Sequence, residues 1–117
     1  MEQGIIKTGM DYILQERDEQ INKHGYSVQH AIDNPEWYDK KQLLQAADFC
    51  LIMDENDWPK DWNDTSRDKI INKDRIGQLA CAGAFYKAHD EIFGTDHRVN
   101  IELCASIINS LLRGESV

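Results

Sequence analysis

An all-α domain is what this sequence predicts, on three observations. Apolar residues recur at helical spacing through about four segments, alternating strand-like patterning is missing, and both prolines, Pro35 and Pro59, fall between those segments. With 117 residues, 41% of them hydrophobic, the chain suits one globular domain and leaves no room for a second core. The expected architecture is therefore a single-domain bundle of about four helices, with an aromatic-pinned loop between helices 2 and 3.

The first helix is expected to begin near Thr8, where Thr8-Gly9-Met10-Asp11 approximates a capping box with Asp in place of the usual Glu. It runs to about Lys23, before His24-Gly25 stops it. Met10, Ile13, Leu14, Arg17 and Ile21 share its apolar stripe, and Arg17 is the odd member. A polar loop, His24 to Asn34, leads to a second helix from Pro35 or Glu36 to Met53, with Pro35 in an opening turn and Leu43, Ala46, Ala47, Cys50 and Leu51 facing inward. Asp54 to Ser66 reads as an ordered loop whose indoles, Trp58 and Trp62, pack back onto the helices. The third helix, from Arg67 or Asp74 to Phe93, is apolar on nearly every side and belongs in the middle. Its Ala80, Gly83 and Ala84 allow close backbone approach, and Gly94 ends it. Asn100 to Leu112 forms the fourth helix, carrying Ile101, Cys104, Ala105, Ile108 and Leu112 inward. Ile107 and Leu111 extend that face and suit burial against a second copy, a homodimer.

Thirteen basic residues against 21 acidic ones give a net charge of -8, and no basic run exceeds Lys40-Lys41. Binding to a nucleic-acid backbone, which depends on clustered cations, is disfavoured. The longest apolar stretch, Leu79 to Tyr86, is far short of the roughly 20 residues a membrane span requires. The N-terminal Met-Glu-Gln-Gly has neither the basic region nor the apolar core of a secretory signal, so the expected location is cytoplasmic. Cys50, Cys81 and Cys104 are odd in number, lack Cys-x-x-Cys spacing and read as reduced core residues. Phosphate-loop, nucleophile-elbow and His-Glu-x-x-His signatures are all missing.

Carboxylates, histidines and a few cations remain as chemical material. Glu16 and Glu19, three apart on the first helix, project to nearly the same side and would share a Mg²⁺, with Asp48 completing the set from the next helix. The competing reading is a solvated face, because both lie well away from the centre of the apolar stripe. Arg17, Gln20 and His24 line one edge of the first helix; the buried guanidinium requires either a carboxylate such as Asp48 or a ligand phosphate. His30, in the loop, serves a helix end or acts as a ligand or acid–base group. Lys73-Asp74-Arg75 offers a cap at Asp74 flanked by two bases at a pocket mouth, while Lys87 and Asp90 read as an intrahelical ion pair. Trp58 and Trp62 either close the bundle end or stack on a base. His89 and His97 receive no role.

Taken in order, Glu16-Arg17, Gln20-Ile21, Gly25-Tyr26, His30, Leu43, Ala46-Ala47, Trp58-Pro59, Lys73-Asp74 and Ala82-Gly83-Ala84 resemble a family of small phage and prophage-type proteins over residues 16–92. The family's His-Asp is His30-Ala31 here. More distantly, Glu16-Arg17-Asp18-Glu19 and Gln45-Ala46-Ala47-Asp48 resemble the Glu-x-x-Glu and Glu-x-x-Asp elements of the MazG-like all-α nucleoside triphosphate pyrophosphohydrolases, with Gln45 replacing one ligand. That resemblance implies Mg²⁺ on Glu16, Glu19 and Asp48, phosphate contacts from Arg17 or Lys73, and a nucleotide substrate. The alternative is a non-catalytic helical module that binds another protein.

Overall fold

The computed structural model describes residues 7–115 and is all-helical, with no strand among them. The described residues form six α-helices: α1 (Gly9–Asn22), α2 (Val28–Asp33), α3 (Gln42–Ile52), α4 (Asp64–Ile71), α5 (Arg75–Phe93) and α6 (Arg98–Leu112). Single 3₁₀ turns stand at Pro35–Trp37 and Glu55–Asp57. None of these helices is long and apolar enough to cross a membrane.

Helix α5 is the axis of the fold. Its Leu79, Ala82, Ala84 and Ala88 are fully buried, and α1, α3 and α6 all pack against it. Small side chains set the spacing. A Cβ on Gly83 would meet Ile13 Cδ1 at 2.6 Å, and one on Gly9 would overlap the Ala105 carbonyl, so α1 lies close to both α5 and α6. The start of α1 is fixed twice: Thr8 and Asp11 form the reciprocal capping box, and Asn109 Oδ1 accepts from the Gly9 amide at 2.7 Å.

Local chemistry explains why six helices form where about four were expected. Ser27 caps α2, accepting from the His30 amide at 3.0 Å, and the helix buries Ala31. What reads as one helix from Pro35 to Met53 is a 3₁₀ turn followed by α3, because Lys41 takes a left-handed conformation (φ 64°) between them. Gln42, 1% exposed, holds that break by accepting from the Lys40 amide at 2.7 Å and donating to the Glu36 carbonyl at 3.1 Å. Of the two expected starts of the third helix, Asp74 caps α5 by accepting from the Gly77 amide at 2.7 Å, whereas Arg67 belongs to the separate α4, the chain breaking at Asn72-Lys73. Gln78 Nε2 turns back to the Lys73 carbonyl at 3.2 Å, closing the angle between α4 and α5. Arg75 does not flank a pocket mouth: it donates to the Cys50 and Leu51 carbonyls and closes the C-terminal end of α3.

Between α3 and α4, Trp58 and Trp62 are 5% and 4% exposed, and the Trp62 indole donates to the Trp37 carbonyl at 2.9 Å. Tyr26 stacks on Trp62 with centroids 5.1 Å apart, and Trp58 meets Phe49 edge-on at 5.3 Å. The three cysteines are free and buried. Burial pushes each thiol above its ordinary range, Cys104 to about 11, so they are protonated core groups at neutral pH.

Candidate functional site

A cleft of about 290 Å³ opens between α1, α4 and α5. Three short periodicities build it. On α1 and just beyond its end, Glu16, Gln20 and His24 recur every four residues and share one side. On α4 and the turn after it, Ser66, Lys69, Ile70 and Lys73 follow the same rule. Cys81 and Phe85, four apart on α5, form the floor, and Tyr26 closes one wall.

The wall is stiff and mostly apolar. Tyr26 is held parallel to buried Trp62 and edge-on to Phe85 at 6.0 Å. Burial raises the Tyr26 phenol above its ordinary range, partly offset by a hydrogen bond with Ser66. Polar groups sit opposite. Glu16 accepts a hydrogen bond from the Cys81 thiol at 3.3 Å and lies 3.9 Å from the Lys73 ammonium. With Lys69 added, two ammonium groups face one carboxylate, a local cationic surplus on a chain whose net charge is -8.

Gln20 is 3% exposed and carries the site's most telling feature. Its Oε1 accepts from Arg17 at 3.4 Å, but its buried Nε2 has no hydrogen-bond partner among the described residues. Leaving such a donor unpaired costs about 1–3 kcal/mol. The atom is covered, although Gln20 itself lines the cleft, so its amide must turn to meet an acceptor there.

The remaining expected site residues divide sharply. Arg17 is 3% exposed, and its donors are committed: Nε and Nη2 to Glu91 Oε1 at 3.1 and 2.9 Å, Nη1 to the Tyr26 carbonyl at 2.7 Å. Its carboxylate partner is thus Glu91 on α5 rather than Asp48, and its guanidinium is not among the groups lining the cleft. Glu19 turns away from Glu16 toward Lys23, 3.9 Å distant. Asp48, exposed on α3, accepts from the Tyr86 hydroxyl at 2.7 Å. Among the described residues, the three-member group of His, Cys, Asp or Glu with ligand atoms within 4.8 Å contains none of Glu16, Glu19 and Asp48. The reason is topological: α1 and α3 each pack on α5 and scarcely touch each other. His30 also lies elsewhere, its Nδ1 2.7 Å from the Tyr38 hydroxyl and its ring against Trp37.

The sequence-derived set therefore reaches the cleft through Glu16, Gln20, His24 and Lys73. Tyr26, Ser66 and Lys69 join them without standing out in the sequence; the Ser66-Lys69-Ile70-Lys73 spacing is the available signal, and it is visible only once α4 is a helix separate from the loop before it and from α5. Comparison with protein-family models, curated proteins and solved structures gives no match for this chain.

Proposed function

We propose that the chain binds a small phosphorylated ligand with a planar apolar part, of nucleoside monophosphate size, in the cleft between α1, α4 and α5. The observation that carries this reading is the partnerless Gln20 Nε2 in a cleft flanked by Lys69 and Lys73. The two ammonium groups hold phosphate oxygens, the covered Gln20 amide turns outward to donate to a ligand acceptor, and Tyr26 and Phe85 meet the planar part. Size supports a monophosphate: about 290 Å³ lies at the lower end of the roughly 300–1,000 Å³ of ligand pockets, so a triphosphate tail would extend into solvent.

The Mg²⁺-dependent pyrophosphohydrolase reading retains one of its carboxylates here, Glu16, which is already engaged by Lys73 and Cys81. That donor set does not fit a magnesium centre shared by several carboxylates, so the reading is recognition without hydrolysis.

Calorimetry with adenosine monophosphate, and with adenosine triphosphate in the presence and absence of Mg²⁺, tests it. The expected result is one monophosphate per chain without Mg²⁺, weakened roughly tenfold or more by Lys73→Ala. Mg²⁺-dependent release of pyrophosphate, lost in Glu16→Gln, would replace this reading with the hydrolase. No binding of either nucleotide by folded protein would remove both.

A second reading, the helical interaction module, is favoured by one specific observation. Val99 and Leu103, spaced by four on α6, are 77% and 49% exposed, and Ile107 continues their row. A second copy of this chain is the occupant considered, and sedimentation of wild type against Leu103→Glu distinguishes a dimer on this face from a monomer.

A further inference from the structure

The opposite end of α5 holds a second constellation. Gly94, in a left-handed conformation (φ 69°), turns the chain so sharply that Thr95 and His97 fold back over the last turns of the helix. His89, Asp90 and His97 thereby bring one ligand atom each within 4.8 Å of one another. The atoms converge on a definable point. Thr95 Oγ1 lies 2.8 Å from His89 Nδ1, 2.7 Å from Asp90 Oδ1 and 3.5 Å from His97 Nδ1.

Loop closure accounts for only part of this. The His97 backbone amide donates to Asp90 Oδ2 at 2.7 Å, a bond that any non-proline residue at position 97 would make. It does not require an imidazole at 97 as well as one at 89, both turning a ring nitrogen toward the same hydroxyl. Two imidazoles and a carboxylate make a mixed nitrogen and oxygen donor set suited to zinc, whose bonds to these groups run at about 2.0–2.2 Å, and unsuited to Mg²⁺ or Ca²⁺, which prefer oxygen alone.

We propose that His89, Asp90 and His97 form a zinc site that clips the α5–α6 corner. The ion takes the position near Thr95 Oγ1. It draws Nδ1 of both imidazoles and Oδ1 of Asp90 inward, exchanges the His97–Asp90 and His89–Thr95 hydrogen bonds for coordination, and leaves a fourth position to the Thr95 hydroxyl or water. Each neutral imidazole moves its proton from Nδ1 to Nε2, so coordination needs no net deprotonation of either ring. Access exists because Asp90 and His97 side chains are 19% and 24% exposed, whereas His89 is 8% exposed and anchors the site against Phe93.

Zinc titrated calorimetrically into the tag-free full chain should bind once per chain, with His97→Asn and His89→Gln each weakening the affinity by at least about tenfold. Cobalt substituted for zinc should give a visible spectrum without a thiolate charge-transfer band, separating this site from the three cysteines. Because His89 is buried and its replacement bears on folding, imidazole nitrogen NMR of the wild type provides a reading without substitution: zinc should shift Nδ1 of both residues. Zinc binding that is indifferent to both His substitutions, or unchanged imidazole signals at stoichiometric zinc, overturns the proposal.

Discussion

Two cationic arrangements on the same stretch of α1 and its neighbours behave oppositely. Arg17 is sealed into a knot with Glu91, Gln20 and the Tyr26 carbonyl, all three of its nitrogens engaged. One residue along the helix, Glu16 looks into a cleft where Lys73 stands at a loose 3.9 Å and a neighbouring amide has no partner among the described residues. A buried charge closely paired holds the fold; a charge left loosely paired beside an orphan donor is available to a ligand. The knot also serves the cleft, since Arg17 fixes Gln20 and the Tyr26 backbone.

Breaking the knot should produce the largest change. Arg17→Met strips Glu91 of its close partner, leaving it the looser Lys87 at 3.8 Å, and should reduce stability by about 2–4 kcal/mol, below the full cost of a deeply buried pair because Glu91 is 32% exposed. Urea denaturation followed by circular dichroism measures it. Gly83→Ala presses a methyl into Ile13 across the α1–α5 contact and should cost about 1–3 kcal/mol in the same assay, while the Gly83→Ala, Ile13→Val pair recovers part of the loss.

Lys73→Ala sharpens the contrast from the other side: stability should move by no more than about 0.5 kcal/mol, since its one ion pair is loose and partly exposed, while phosphate-ligand affinity falls. A stability loss comparable to that of Arg17→Met would erase the distinction between the two regions.

Alkaline pH gives the smallest effect at physiological conditions. Burial, with nearby Tyr26 adding and Arg17 opposing, raises the Tyr38 phenol to about 12 from its ordinary 10.0. The folded state then holds a proton that the unfolded chain has released, so this contribution is fully present below pH 10 and is lost as pH rises toward about 12. Denaturation midpoints across that window should fall less steeply in Tyr38→Phe than in wild type.

Legibility follows locality. The Thr8 capping box, the Asp74 cap and the Gly94 stop are written in a few adjacent residues and appear where the sequence puts them. The break at Lys41 carries no glycine to announce it and depends on Gln42 reaching back to Glu36, while α2 depends on Ala31 finding cover. In the site, Arg17 and Gln20 stand out as polar residues on an apolar stripe, and both are buried. Which carboxylate answers Arg17, and whether Asp48 approaches Glu16, are decided by how α1 and α3 each sit on α5, a long-range relation that periodicity does not encode. Lys87 and Asp90 illustrate the same limit: Lys87 lies 3.8 Å from Glu91, while Asp90 is taken by Thr95 and His97.

The side-chain amide of Gln20 is the most direct witness of the cleft's role. In nitrogen-15 correlation spectra of the full chain titrated with adenosine monophosphate, its Nε2 resonances should shift saturably and exchange more slowly with water, and Lys73→Ala should suppress both changes at equal ligand. Saturating nucleotide that leaves the Gln20 amide, Tyr26 and Phe85 signals unmoved would contradict the account.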